Sequence, residues 1–319
     1  MLRKHVIVAL VAMVSIGATW AQDYPARPIR LVVPFAAGGG TDIISRIFAQ
    51  VLTEQLGATV VVENVGGAGG TIGTAQAAKA MPDGYTLLSA TPAITINPHI
   101  QKNIPYGVLR DFVPVVQITA SPFVLVVNKD LPVTSVRDLI ELARGKPGAI
   151  SYGSAGIGST AFLGGELFKA LAGIEFTHIP YRGAGPALID LIAGRIQVQF
   201  ENAPVVLGHI ASGELKAIAV GTARRSAILP DLPAIAETLP GYEATSWLGI
   251  LAPAATPRPI IERLNAAINK GLGDPAIRKR LSDLGVERVG GTPEEFGAYL
   301  RAKVEETDRV AKAAGLRPE

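Results

Sequence analysis

The chain has 319 residues, nearly half of them apolar, which is more than one compact core usually holds, so two α/β lobes are expected and disorder is not. Its formal charge is +3, falling to +1 if Arg3 and Lys4 leave with a leader, which gives little support for a basic nucleic-acid surface. It contains no cysteine, so neither a disulfide nor a lipid-modified cysteine is available and the fold rests on its core alone.

Residues 1–21 read as a secretory signal. Arg3 and Lys4 give a positive start, Val6 to Ile16 an apolar stretch, and Ala18 to Ala21 a small-residue end interrupted by Trp20, with cleavage expected after Ala21. A membrane anchor is the alternative, but the apolar stretch is short for the roughly 20 residues a span needs.

Strands and helices then alternate. "IRLVVPF" (Ile29 to Phe35) is a buried-strand run, and from Thr41 the apolar residues Ile44, Ile47, Phe48, Val51 and Leu52 recur at helical spacing until Gly57. "ATVVVEN" predicts a second strand, "VGGAGGTIG" a glycine turn into a small-residue helix, and "YTLLSA" a third strand. This βαβαβ run implies a parallel sheet covered by helices.

Two apolar runs, "FVPVVQI" and "PFVLVVN", then follow with only Thr119 to Pro122 between them, read as a crossing between lobes. From Ser135 the alternation restarts: a helix to Ala143, strand "AISYGS", helix Ser159 to Leu171, strand "FTHIPY", helix Pro186 to Ala193 and strand "IQVQFEN". After strand "LKAIAVG", the run "SWLGILAP" (Ser246 to Pro253) is a candidate return crossing, and the tail carries two helical patterns, the second opened by a capping box of Thr292 and Glu295.

"LVVPFAAGGGTD" and "ISYGSAGIGST" share one design: strand, glycine turn, helix start. If the lobes face each other, two helix N-termini with free N–H groups point into the cleft and hold an anion from both sides. Neither loop has the lysine of a P-loop. In Gly67, Gly69 and Gly73 the dinucleotide spacing fails at Ile72, and the following strand ends Ser89-Ala90-Thr91 without the ribose-binding acid.

Catalytic constellations are thin. Ser154 lacks the glycine of a nucleophile elbow, having Tyr152 there. His99, His178 and His209 are isolated, with no metal-ligand spacing. Thr41, Asp42, Ser154, Ser159 and Thr160 suit hydrogen bonding better than bond breaking, so binding is expected rather than catalysis, with no metal and no cofactor. Asp42 reads equally as a first-turn acid on the helix dipole or as a cleft acceptor.

"PFAAGGGTD", "VVENVGGAGGTIG", "PDGYTLL", "GSTAFLGGELF", "PYRGAGPALIDLIAGRI" and "WLGILAPAATP", in this order, resemble the substrate-binding proteins of tripartite tricarboxylate transporters, also called Bug receptors. The resemblance runs from about Tyr24 to the end. It implies a two-lobed periplasmic binding protein-like (type II) α/β fold with a ligand cleft between lobes, the first lobe from residues 22–122 and 249–319 and the second from 123–248. It also implies a monomeric periplasmic receptor that captures a small carboxylate by lobe closure and hands it to a two-subunit membrane permease. A signalling receptor would use the same cleft, and a secreted enzyme with a phosphate-bearing cofactor is the remaining alternative.

Carried onto this sequence, the first loop places Phe35, Ala36, Gly38, Gly39, Gly40, Thr41 and Asp42 at one side of the ligand, with Thr91 after the third strand. The opposing loop contributes Ser154, Gly158, Ser159 and Thr160, and "PYRG" contributes Tyr181 and Gly183, with Arg182 turned to solvent. Two positions depart from the family pattern: Ala161 stands where many members have histidine, and Glu201 precedes Asn202 where aspartate is common. A longer acid there either reaches an amine on the ligand, fills space, or is structural.

Overall fold

The computed structural model describes residues 24–313 and 318, so the leader expected at residues 1–21 lies outside the described residues. In chain order, β1 (Ile29–Val33), α1 (Gly40–Leu56), β2 (Val60–Asn64), α2 (Thr71–Ala78) and β3 (Thr86–Ala90) make a βαβαβ run. β1 lies between β2 and β3, parallel to both. α1 buries Ile44, Ile47, Phe48, Val51 and Leu52 and stops at Gly57, which takes the left-handed conformation (φ 72°) and donates its N–H to the Thr53 carbonyl.

Two short turns of helix, α3 (Ala93–Ile96) and α4 (Val108–Asp111), lead into β4 (Phe112–Asn128). The two apolar runs expected on either side of a crossing are one 17-residue strand. Residues 112–122 of β4 pair antiparallel with β9 (Thr245–Pro253), whereas from Phe123 onward β4 pairs with β7 (Val198–Asn202) and, one residue further on, with β8 (Leu215–Val220). Pro122 sits at the change of partners, where a residue without an N–H is tolerated. β4 is therefore the strand that carries the chain from the first half to the second, whereas β9 pairs only with β3 and with residues 112–122 of β4.

Between them lie α5 (Val136–Gly145), β5 (Ser151–Ser154), α6 (Thr160–Ala172), β6 (Thr177–Pro180), α7 (Ala184–Ile192) and, after β7, α8 (Ala203–Ala211). After β9 come α9 (Arg258–Gly273), α10 (Pro275–Asp283), β10 (Glu287–Gly290) and α11 (Pro293–Ala313). All ten strands join one mixed, partner-switching sheet in the order β2-β1-β3-β9-β4-β7-β5-β6, with β8 and β10 added along β4.

Strand alternation sorts side chains to the two faces of each half. In the first half Leu31 enters a core with Ile47, Phe48, Leu264 and Ile268 under α1 and α9, while its neighbour Val32 faces Leu251, Phe296 and Leu300 under α11. In the second half Leu125 joins Tyr152, Phe168, Phe200 and Tyr242, while Val124 and Val126 face Leu188 and Val206 of α7 and α8. No described helix is long and apolar enough to cross a membrane.

Local caps agree with the packing. Ser135 accepts the Asp138 N–H at 3.1 Å, and Asp138 accepts the Thr134 N–H and hydroxyl in return. Replacing Ser135 with alanine is expected to cost about 1 kcal/mol, read as a shift of the urea midpoint with an unchanged slope. A midpoint equal to that of the parent protein would contradict the capping role.

Candidate ligand-binding site

The two glycine loops meet face to face. The first leaves β1 at Val33 and starts α1 at Gly40; the second leaves β5 at Ser154 and starts α6 at Thr160. Side chains are absent from the first loop largely because the other lobe comes so near. A Cβ on Gly40 would lie 3.0 Å from the Asn202 Cβ, and one on Gly39 would lie 3.3 Å from the Ala184 Cβ. Ala184 opens α7 and Asn202 immediately precedes α8, so four helix N-termini converge. Their first-turn amides have no carbonyl one turn back within their own helix and carry the positive end of the dipole.

The cleft between them is lined by Phe35, Gly39, Gly40, Thr41 and Thr91 from the first half of the fold and by Ser159, Thr160, Ala161, Ala184, Glu201 and Asn202 from the second. Phe123, Ala155 and Ser246 complete the wall. An adjoining recess shares Gly40, Thr41, Thr91, Asn202 and Ser246 and extends to Thr119, Ser121 and Trp247. Lysine, arginine and histidine are absent from the lining of both. The cleft is narrow, with about 40 Å³ of room for ordered water.

Several expected ligand contacts are engaged elsewhere. Asp42 turns back from the cleft: its carboxylate accepts the Gly38 N–H at 3.0 Å, the Asn64 amide at 2.9 Å and the Arg46 guanidinium at 3.0 Å. Burial pushes its pKa up, but Arg46, the Gly38 N–H and Asn64 outweigh this and hold it below the ordinary carboxylate value. Asp42 thus fixes the loop, and Gly38 is part of what it fixes. The amide of Ala36 donates to the Arg182 carbonyl of the opposite lobe at 3.2 Å, and Gly183 packs directly on Ala36. Tyr181 donates its hydroxyl to Asp190 at 2.7 Å, and exposed Arg182 points to solvent.

In the second loop, Gly158 lies against Asn97 of the first half rather than along the cleft wall. Ser154 is fully buried, its hydroxyl 2.7 Å from Nε2 of His178, and the His178 ring lies against Tyr152 and Phe162. Burial lowers the His178 pKa. Ser154 itself is closed off from solvent, and the bond to half-buried His178 ties β5 to β6. Ser159 lines the cleft, but its hydroxyl also caps α6 by accepting the Phe162 N–H at 3.2 Å.

Glu201 is the one ionisable side chain in the wall. It is 2% exposed, accepting the Asn202 N–H at 2.8 Å and the Gln199 amide at 3.0 Å. Burial pushes its pKa up to about 7 against the pull of these bonds. Phe123, Ala184 and Ser246 are among the contacts that the sequence does not mark; Phe123 and Ser246 belong to β4 and β9, whose apolar runs mark burial without marking the cleft face.

A two-lobed α/β frame, helix N-termini from both lobes turned into one cleft, and a wall of amides and hydroxyls define a solute-binding protein of the periplasmic binding class. Residues 44–316 match the family described as Tripartite tricarboxylate transporter family receptor. The chain belongs to that family, whose members are substrate-binding receptors and not enzymes. It is 38% identical over 316 residues to the protein BugT of Bordetella pertussis, covering 98% of this chain and 97% of that one. Among solved structures it resembles an R. palustris protein with adipate (40% identity, TM-score 0.89, 93% of this chain and all of that one). The periplasmic binding protein BugD gives a TM-score of 0.90 at 36% identity, over 93% of this chain and all of that one.

Proposed function

We propose that this protein is a periplasmic receptor, exported by cleavage of residues 1–21, that closes its lobes on a small carboxylated metabolite and passes it as a monomer to a two-subunit membrane permease. The lobes are taken as residues 22–122 with 249–319 and residues 123–248; the change of partners on β4 between Pro122 and Phe123 supports the first division. The observation that carries the reading is the convergence of four helix N-termini on one cleft. Amides fixed by their helices need no reorganisation when a carboxylate arrives, and closure removes water from the bonds they make.

Phe35, Gly39, Gly40, Thr41, Thr91, Ser159, Thr160, Glu201 and Asn202 are the proposed ligand contacts. Ala36, Gly38, Asp42, Ser154, Gly158, Tyr181 and Gly183 shape the loops and the lobe contact. Ligand binding shifts a population between open and shut lobes. Titration calorimetry with a panel of three- to eight-carbon mono- and dicarboxylates should find at least one that binds, with a matching fall in radius of gyration by small-angle scattering. A panel in which none binds or compacts the protein would overturn the reading.

A further inference from the structure

The cleft wall contains an acid, Glu201, where the proposed ligand is itself an acid. Glu201 lies on β7 with Gln199 two residues away, on the same face of the strand, and the two side chains bond each other at 3.0 Å. Both are at most 2% exposed. The Gln199 side-chain oxygen is buried with no hydrogen-bond partner.

Nothing around Glu201 supplies a compensating cation. The lining of the cleft and of the adjoining recess holds none. The neighbouring β4 carries no titratable side chain. On β5 the Tyr152 hydroxyl donates to Glu166 of α6, which pairs with Lys169. Asp190 of α7 is held by Tyr181 and Arg195, His209 of α8 by Glu214, and Asp42 of α1 by Arg46. All of these have other partners.

A ligand carboxylate shut in with an ionised Glu201 would therefore put two like charges in one water-poor space, the arrangement in which carboxyl groups share a proton. We infer that Glu201 couples ligand capture to a proton: the receptor takes up one proton at Glu201 as a carboxylate binds, so that the shut cleft holds no negative charge beyond that of the ligand. This rests on the carboxylate reading above. The protonated acid becomes a donor, and the Gln199 oxygen, if the amide is turned over, is an acceptor already within 3.0 Å of it.

In the shut arrangement burial, opposed by the bonds from Asn202 and Gln199, brings Glu201 to about 7, and an anion beside it moves it higher. Below that value the acid is already protonated and binding takes up nothing; above it, each binding event draws a proton and weakens by up to about tenfold per pH unit.

Three probes with one six-carbon chain separate the possibilities: hexanoate, adipate and 6-aminohexanoate, titrated calorimetrically from pH 6 to 9 in phosphate and in Tris against the native sequence and Glu201→Gln. The expected result is proton uptake approaching one per bound hexanoate or adipate at pH 8. The Glu201→Gln protein should show no uptake, a flat pH profile and about tenfold tighter binding at pH 8. The uptake is read on the unaltered protein, so it decides the point even if the variant folds poorly. Carboxylate binding with no proton uptake and an unchanged profile in Glu201→Gln would overturn the inference. So would 6-aminohexanoate binding best, without uptake, and only when Glu201 is present, because the acid would then be a charged partner for an ammonium group. Failure of all three probes and of the wider carboxylate panel would instead remove the receptor reading, and this inference with it.

Discussion

Placing one methyl group on Gly69 or Gly158 is expected to weaken ligand binding by about 30- to 100-fold while each lobe stays folded. Gly69 belongs to the first lobe and Gly158 to the second, and they meet at the rim where the lobes touch. A Cβ on Gly158 would lie 1.9 Å from the Asn97 side-chain oxygen, and one on Gly69 would lie 2.1 Å from the Ile157 carbonyl oxygen. No real contact is that short: at Gly69 the obstacle is backbone and the shut arrangement must open, and at Gly158 the Asn97 side chain must leave its bond to the Gly69 carbonyl to make room. Both residues also have positive φ, +88° and +59°, which adds about 1–2 kcal/mol for a non-glycine residue.

At the same rim one bond joins the lobes, from the Gln101 amide to the Ile157 carbonyl at 3.4 Å, while Asn97 to the Gly69 carbonyl at 3.1 Å and Gln101 to the Ala68 carbonyl at 3.0 Å hold the first lobe's side of it in place. Lost closure is worth about 2–3 kcal/mol on this account, which converts to the stated range in Kd. The measurement is titration with the tightest acid of the panel, paired with scattering: Gly69→Ala and Gly158→Ala should remain extended at saturating ligand. Normal compaction and affinity in both variants would show that the lobes shut in some other way.

Asp42→Ala is expected to cost about 1–3 kcal/mol in folding stability, because it takes a bond from the half-buried Asn64 amide, which keeps the Phe35 carbonyl, and strips the partner from the Gly38 N–H and Arg46 together. Arg46 is half exposed, so Arg46→Ala should cost under about 1 kcal/mol. The pH dependence follows from the depressed folded pKa of Asp42. Its contribution is fully present above the unfolded value of 3.8 and is lost as pH falls through the lower folded value. Urea denaturation of the native and Asp42→Ala proteins should therefore differ at pH 6 and converge in strong acid. Equal stability at pH 6 would assign Asp42 no structural role and return it to the cleft.

Much of the frame is legible in the letters. The alternation of apolar runs with helical spacing gives the βαβαβ start, and the glycine turns mark where backbone must approach something closely. What approaches is not legible: glycine records a missing side chain, and at Gly39 and Gly40 the neighbours are Ala184 and Asn202 from more than a hundred residues away. The reading of β4 as two runs has a similar cause. Pro122 ordinarily ends a strand, and only the switch of partners from β9 to β7 makes room for it.

Asp42 illustrates the limit for side chains. A first-turn acid next to a glycine loop faces either the loop's own amides or the cleft, and the choice depends on Asn64 at the end of a different strand. Phe123 and Ser246 stayed hidden because nothing in the letters of β4 and β9 tells which side chains near the change of partners face the cleft. Glu201 stood out as a departure from the family pattern, yet its burial beside Gln199 and the absence of a cation from the wall are properties of the packed structure alone.

The most direct test is a crystal structure with the bound acid found by native mass spectrometry of gently purified protein. The account predicts one carboxylate between the two glycine loops, its oxygens held by first-turn amides of α1 and α6, directly or through one water, with Glu201 in the same wall. A ligand outside this cleft, or a carboxylate held by an arginine or lysine side chain instead of by helix amides, would contradict it.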